Sequence, residues 1–90
     1  MADKINNNIS NKKNDWRFQG QDKYLMNVQL IFNKFDNSIR EHDHCDFCGK
    51  KFSELDEDLH KGYCTLDKYH WICEKCFNDF RDVFKWQVIN

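Results

Sequence analysis

The 90 residues include 14 basic and 15 acidic side chains, a formal net charge of -1, with 40% hydrophobic and 16% aromatic residues. That length holds one small domain, and the near-neutral balance excludes a chain that coats nucleic acid through bulk charge. Without an apolar run near the ~20 residues of a membrane-spanning helix, a helical membrane span is excluded too.

A domain of this size buries too little surface to be comfortably stable and usually needs a staple. Five cysteines raise the question of disulfides, but the number is odd and the spacing is paired. No signal peptide pattern opens the sequence, so a reducing cytoplasm is expected.

Residues 1–14 are rich in Asn and Lys, with Ile5 and Ile9 as the larger aliphatics after the start Met. Such a stretch cannot offset its ordering entropy by burial and reads as a disordered tail, leaving 15–90 as the domain. The alternative is an arm that docks on a partner. Trp16-Arg17-Phe18 then sets two aromatics on one side of an extended segment, with Arg17 stacked on a ring at the surface or else reaching a ligand. Gly20 permits a turn before a single helical turn at Asp22–Leu25.

Val28 to Phe35 alternates in a strand pattern, although Leu25, Gln29 and Phe32 also share helical spacing. A polar connector, 36–43, leads into Cys45-Asp46-Phe47-Cys48-Gly49, where Gly49 suits a positive φ that finishes a tight turn. Phe52 is expected to fold back over that turn. The acidic run Glu54–Asp58 lacks the alternating oxygen ligands and central Gly of a calcium loop and reads as a solvated loop.

Gly62–Thr65 and Tyr69–Ile72 flank Leu66-Asp67-Lys68 as a β-hairpin. Its second strand delivers Cys73-Glu74-Lys75-Cys76. From about Glu74 to Trp86 the period turns helical, with Phe77, Phe80 and Phe84 on one face. Glu74 and Lys85 complement the helix dipole.

The two Cys-x-x-Cys pairs, with 24 residues between the inner cysteines, predict one metal site. Two residues between thiols let a turn aim both sulfurs at one ion, and four thiolates complete a tetrahedron. Cys45, Cys48, Cys73 and Cys76 are therefore the expected ligands of one structural Zn²⁺. A saturated thiolate site leaves no position for a catalytic water, and a redox dithiol would need an exposed thiol of low pKa. Cys64, unpaired and mid-strand, is expected to pack as a small apolar residue. His42 and His44, beside Cys45, are expected to donate hydrogen bonds to the thiolates or close the turn. The alternatives are that one replaces a cysteine or that the trio with Asp43 binds a second metal.

The order of cysteine turn, hairpin and a second pair at a helix start predicts an α+β, treble-clef-like domain with a short antiparallel sheet and a C-terminal helix. The segments Trp16-Arg17, Gly20-Gln21, Tyr24-Leu25, His42-Asp43-His44-Cys45-x-Phe47-Cys48, Gly62-Tyr63, Trp71-Ile72-Cys73-x-x-Cys76-Phe77 and Phe84-Lys85-Trp86 resemble a family of short, uncharacterised bacterial zinc-binding proteins. The resemblance runs from Trp16 to Trp86. It implies a small intracellular zinc-binding domain that is usually a whole protein, and it implies no activity.

The expected function is a non-enzymatic module that binds a protein partner, with no catalytic residues and no membrane. Trp71 and Trp86 are either anchors for that partner or core residues. One alternative is nucleic-acid binding through Lys50 and Lys51, weakened by their acidic neighbours. Another is an HNH-like nuclease, which would have to use His70 and Asn78 from positions that suit it poorly.

Overall fold

The alternating run after Asn27 forms the central strand of a four-stranded sheet. In the computed structural model, which describes residues 14–90, this strand β1 spans Gln29–Lys34. The tail expected at 1–14, and its docking-arm alternative, lie outside the described residues except for Asn14.

A single helical turn α1, Asp22–Leu25, precedes β1, as the sequence predicts. Strands β2 (Asp43–His44) and β3 (Lys51–Phe52) pair antiparallel around the first cysteine turn. The hairpin follows as β4 (Lys61–Thr65) and β5 (Trp71–Ile72), with Tyr63 opposite Ile72 and Cys64 opposite Trp71. Lys68 closes its loop at φ 61°, and the Asp67 carboxylate accepts from the Thr65 hydroxyl and the Tyr69 amide. Helix α2 runs Glu74–Phe84, and the short strand β6 (Gln87–Val88) follows it.

The main sheet has the order β5-β4-β1-β6, in which β1 pairs antiparallel with β4 and parallel with β6. The architecture is thus a small mixed helix-and-sheet fold with a short antiparallel sheet and a C-terminal helix. Two details differ from expectation. Helix α2 stops two residues before Trp86, because Lys85 takes the left-handed conformation and its amide donates back to the Arg81 carbonyl. The chain beyond that cap then adds β6 to the sheet. A left-handed cap usually falls to Gly, so a Lys there hides the stop signal.

The core is built from rings. Phe47, Phe52, Trp71, Phe77, Phe80, Phe84 and Trp86 are buried, with Leu25, Leu30 and Ile72 as the aliphatic filling. Tyr63 stacks on Phe77 at 3.7 Å between centroids, and Phe77 stacks on Trp86 at 5.6 Å. Both tryptophans satisfy their indole N–H internally: Trp86 donates to the Leu25 carbonyl at 2.8 Å and Trp71 to that of Lys68 at 3.1 Å. Of the two roles open to Trp71 and Trp86, core packing is the one observed.

Phe52, expected to fold back and cover the thiolates, packs its ring against Phe35 and Trp71. Gly62 makes this packing possible. A Cβ there would lie 2.8 Å from the Ile72 carbonyl oxygen and 2.8 Å from the Phe52 ring, so only hydrogen fits between the strand and the ring.

Candidate metal centre

Each cysteine pair occupies a turn whose backbone is already held. In the first, the Gly49 amide donates to the Cys45 carbonyl at 3.0 Å and the Cys45 amide to that of Lys50 at 2.8 Å. Gly49 has φ 80°, as a turn that wraps an ion requires. The second pair opens α2. Cys73 is its N-cap, and its Sγ accepts from the Cys76 amide at 3.4 Å. A sulfur thus takes the place that Ser or Asp oxygen commonly fills at a helix start, where the dipole also favours negative charge.

Strand β5 brings the two turns together. The Asp46 amide donates to the Trp71 carbonyl at 2.8 Å, and the Cys73 amide donates to Cys45 Sγ at 3.3 Å. The result is a cluster in which the sulfurs of Cys45, Cys48, Cys73 and Cys76 all lie within 4.8 Å of one another. Cys48 and Cys73 are 3.7 Å apart, and all five cysteines of the chain are free thiols. Such a group can hold a metal ion. Among the described residues it is the sole group of three or more Cys, His, Asp or Glu placed to do so.

The electrostatics of the cluster are uneven. Hydrogen bonds from the facing thiols of Cys45 and Cys76, with the Cys76 amide, hold Cys73 well below the ordinary thiol range. Cys76, crowded by the Cys45 and Cys73 sulfurs and buried, is pushed the opposite way. Four thiols this close, three of them buried, cannot all ionise side by side unless a positive charge sits among them.

One positive charge comes from the chain itself. Arg17 Nη1 lies 3.4 Å from Cys76 Sγ and 3.0 Å from Asp79 Oδ2, while its Nε and Nη2 contact Asp15 at 2.9 and 2.7 Å. The guanidinium also lies over the Phe80 ring at 4.7 Å. Of the two sequence readings of Arg17, the stacking on an aromatic is observed, with the side chain only 11% exposed; the guanidinium also reaches a cysteine sulfur of the same chain. Its sulfur partner is 59 residues away, which no local pattern reveals.

The histidines beside Cys45 do not donate to the sulfurs as one of their expected roles required. His42 Nδ1 faces Glu41 at 3.2 Å, and His42 meets His44 edge-on at 5.2 Å, with neither ring hydrogen-bonded to a sulfur. Residues 43 and 44 lie on β2, where His44 is exposed.

Cys64 is fully buried in β4, opposite Ile31 of β1 and Trp71 of β5. Burial pushes its thiol up to about 11. That is the profile of packing rather than ligation, as expected. Replacing Cys64 with Ala should therefore cost only about 1 kcal/mol and leave metal content unchanged, by chemical denaturation and elemental analysis. Loss of metal from that variant would make Cys64 a ligand.

A second polar cluster, which the sequence reading missed, gathers around Asp46 of the first turn. His70 Nδ1 donates to Asp46 Oδ2 at 2.7 Å, and the Tyr24 hydroxyl is 3.5 Å from the same oxygen. Burial raises the Asp46 carboxyl above its ordinary range, against the opposing pull of His70. The three residues are 22 and 24 positions apart. Gln21 ties the same turn to the N-terminal segment by donating to the carbonyls of Arg17 at 2.8 Å and Asp46 at 2.9 Å.

No protein-family model, curated protein or solved structure matches the chain. Among the described residues, no helix is long and apolar enough to cross a membrane.

Proposed function

We propose that this chain is a structural-zinc module, treble-clef-like in layout, that acts without catalysis by binding a protein partner inside the cell. The observation that carries the reading is the convergence of four cysteine sulfurs. Zinc–sulfur bonds of about 2.3 Å in a tetrahedron require sulfurs about 3.8 Å apart, close to the 3.7 Å between Cys48 and Cys73. Four thiolates saturate the ion, so it supplies structure rather than an activated water. The succession of a cysteine turn between β2 and β3, the β4–β5 hairpin and the cysteine-capped α2 supports the treble-clef layout. So does the resemblance to short bacterial zinc-binding proteins. Five free thiols suit a reducing compartment.

Support for a protein partner comes from the surface beside the zinc turns. Tyr24 and Tyr69 are exposed, and both contact the His70 ring, at 4.8 and 4.9 Å between centroids. Arg40 extends the row, 4.8 Å over Tyr69. Tyr and Arg are the residues that most often dominate interface energetics. Nucleic-acid binding is the lesser reading, because Lys51 is answered by Asp58 at 3.8 Å and Asp43 by Arg40 at 3.1 Å, which breaks up any basic face. An HNH-like nuclease fares worse, since His70 is turned to Asp46 and Asn78 is an exposed helix residue.

Elemental analysis should find one zinc per purified chain, and X-ray absorption should find four sulfur neighbours. Chemical crosslinking in native cells should then capture a defined protein that the zinc-loaded Tyr69→Ala and Tyr24→Ala variants fail to capture. Cleavage of DNA or RNA with magnesium or manganese, lost in a folded His70→Ala variant, would overturn the module reading in favour of an enzyme.

A further inference from the structure

We infer that Arg17 is a positioning residue of the metal centre: its guanidinium acts as an outer counter-cation that holds Cys76 as a ligand and shields that sulfur from attack. The inference rests on the zinc reading above and adds a residue outside the cysteine turns to it.

The charge count motivates it. Four thiolates around a divalent ion leave a net charge of -2 in a region where Cys45, Cys73 and Cys76 are buried. Burying uncompensated charge is costly, and removal of a single partner commonly exposes that cost. Arg17 brings one positive charge to within 3.4 Å of one ligand sulfur. Its geometry is constrained at every nitrogen: Nε and Nη2 are gripped by Asp15, Nη1 is shared between Cys76 and Asp79, and the plane lies over Phe80. A guanidinium held in a fork on two sides is far better placed than a mobile surface Arg to direct an N–H at sulfur.

The chemistry follows from the thiolate's dual role as ligand and nucleophile. A donated hydrogen bond draws charge from sulfur, which lowers its reactivity toward electrophiles. Groups that orient and polarise metal ligands typically change metal affinity by about 10- to 100-fold when removed. Cys48, the one of the four that is only partly buried, has no such guard among the described residues.

The full-length, zinc-loaded chain provides the test. Arg17→Met keeps the apolar stem against Phe80 and removes the charge and donors; Arg17→Lys restores the charge without the fork. Transfer of zinc to an excess of a chromophoric chelator should be roughly tenfold faster or more in Arg17→Met, and intermediate in Arg17→Lys. Mass spectrometry after brief iodoacetamide treatment should show Cys76 alkylation rising relative to Cys48.

Cobalt supplies a signature that packing alone would not produce. The sulfur-to-cobalt charge-transfer band should move to lower energy in Arg17→Met. It should move to higher energy in Asp79→Asn, where Arg17 has one less anionic acceptor for Nη1. If the Met variant does not fold, the Lys and Asn variants still decide the matter. Wild-type zinc release and an unmoved cobalt band in folded variants would overturn the role of Arg17 alone. A wild-type chain that takes up no zinc would overturn the metal reading together with it.

Discussion

Stripping the metal with a chelator, or replacing Cys73 with Ala, should abolish cooperative folding of this chain. Structural zinc contributes on the order of 10–16 kcal/mol of apparent binding free energy in small domains at neutral pH. The whole net stability of a typical domain is about 5–15 kcal/mol. The first quantity matches or exceeds the second, so no folded remainder is expected. The local geometry sharpens the effect for Cys73. Its sulfur is both a member of the cluster and the acceptor that caps α2 through the Cys76 amide, so its loss removes a cluster sulfur and a helix cap together. Near-UV circular dichroism and calorimetry would show the outcome as loss of the aromatic signal and of the unfolding peak. An apo chain with a native near-UV spectrum would show that the ring core suffices without the ion.

The second large effect is expected at Phe47, which lies between two cysteines of the cluster yet belongs to the core. The ring is 4% exposed. It stacks on Phe80 at 4.7 Å and meets Phe84 and Trp86 edge-on at 5.4 and 5.7 Å. It therefore joins the first cysteine turn to the face of α2 that carries the second pair. Truncating a buried Phe to Ala typically costs about 3–5 kcal/mol. In a domain of this size each kcal/mol lowers the melting temperature by about 4–8 °C. Phe47→Ala should thus melt at least about 12 °C below the wild type with zinc present, by differential scanning calorimetry. The exposed Lys50→Ala in the same turn should stay within about 0.5 kcal/mol of wild type. A shift of only a few degrees for Phe47→Ala would mean that the ion, and not the ring, holds the turn to the helix.

Much of the candidate site was legible in the sequence because its signals are local. Two thiols with two residues between them describe one turn, and the turn at Cys45–Cys48 has its Gly49 at positive φ as expected. The period of Phe77, Phe80 and Phe84 follows from helix geometry alone, and all three are buried on α2. The unbranched logic of composition also held: with few aliphatics, rings had to form the core. Cys64 could be set apart from its four neighbours because it lacks a partner at turn spacing.

Tertiary structure decided what depends on distant partners. His42 and His44 stand next to Cys45 in sequence, but strand pairing of Asp43 and His44 with Phe52 and Lys51 turns that stretch into a sheet edge. Arg17 reaches Cys76 across 59 residues, because Gln21 pins the N-terminal segment to the Asp46 carbonyl and Asp15 and Asp79 grip the guanidinium from both sides. Gly62 is required by the Ile72 carbonyl and the Phe52 ring, neither of which is its neighbour in the chain. The helix end was illegible for a related reason. Lys85 has no intrinsic preference for φ 57°, and it is held there while Trp86 buries its ring against Phe77 and Phe84 and donates to the Leu25 carbonyl. Propensity and spacing act over a few residues, and they determined the elements and the two cysteine turns. The free energy of burying rings and pairing charges acts between segments far apart in sequence, and it decided which side chains surround the sulfurs.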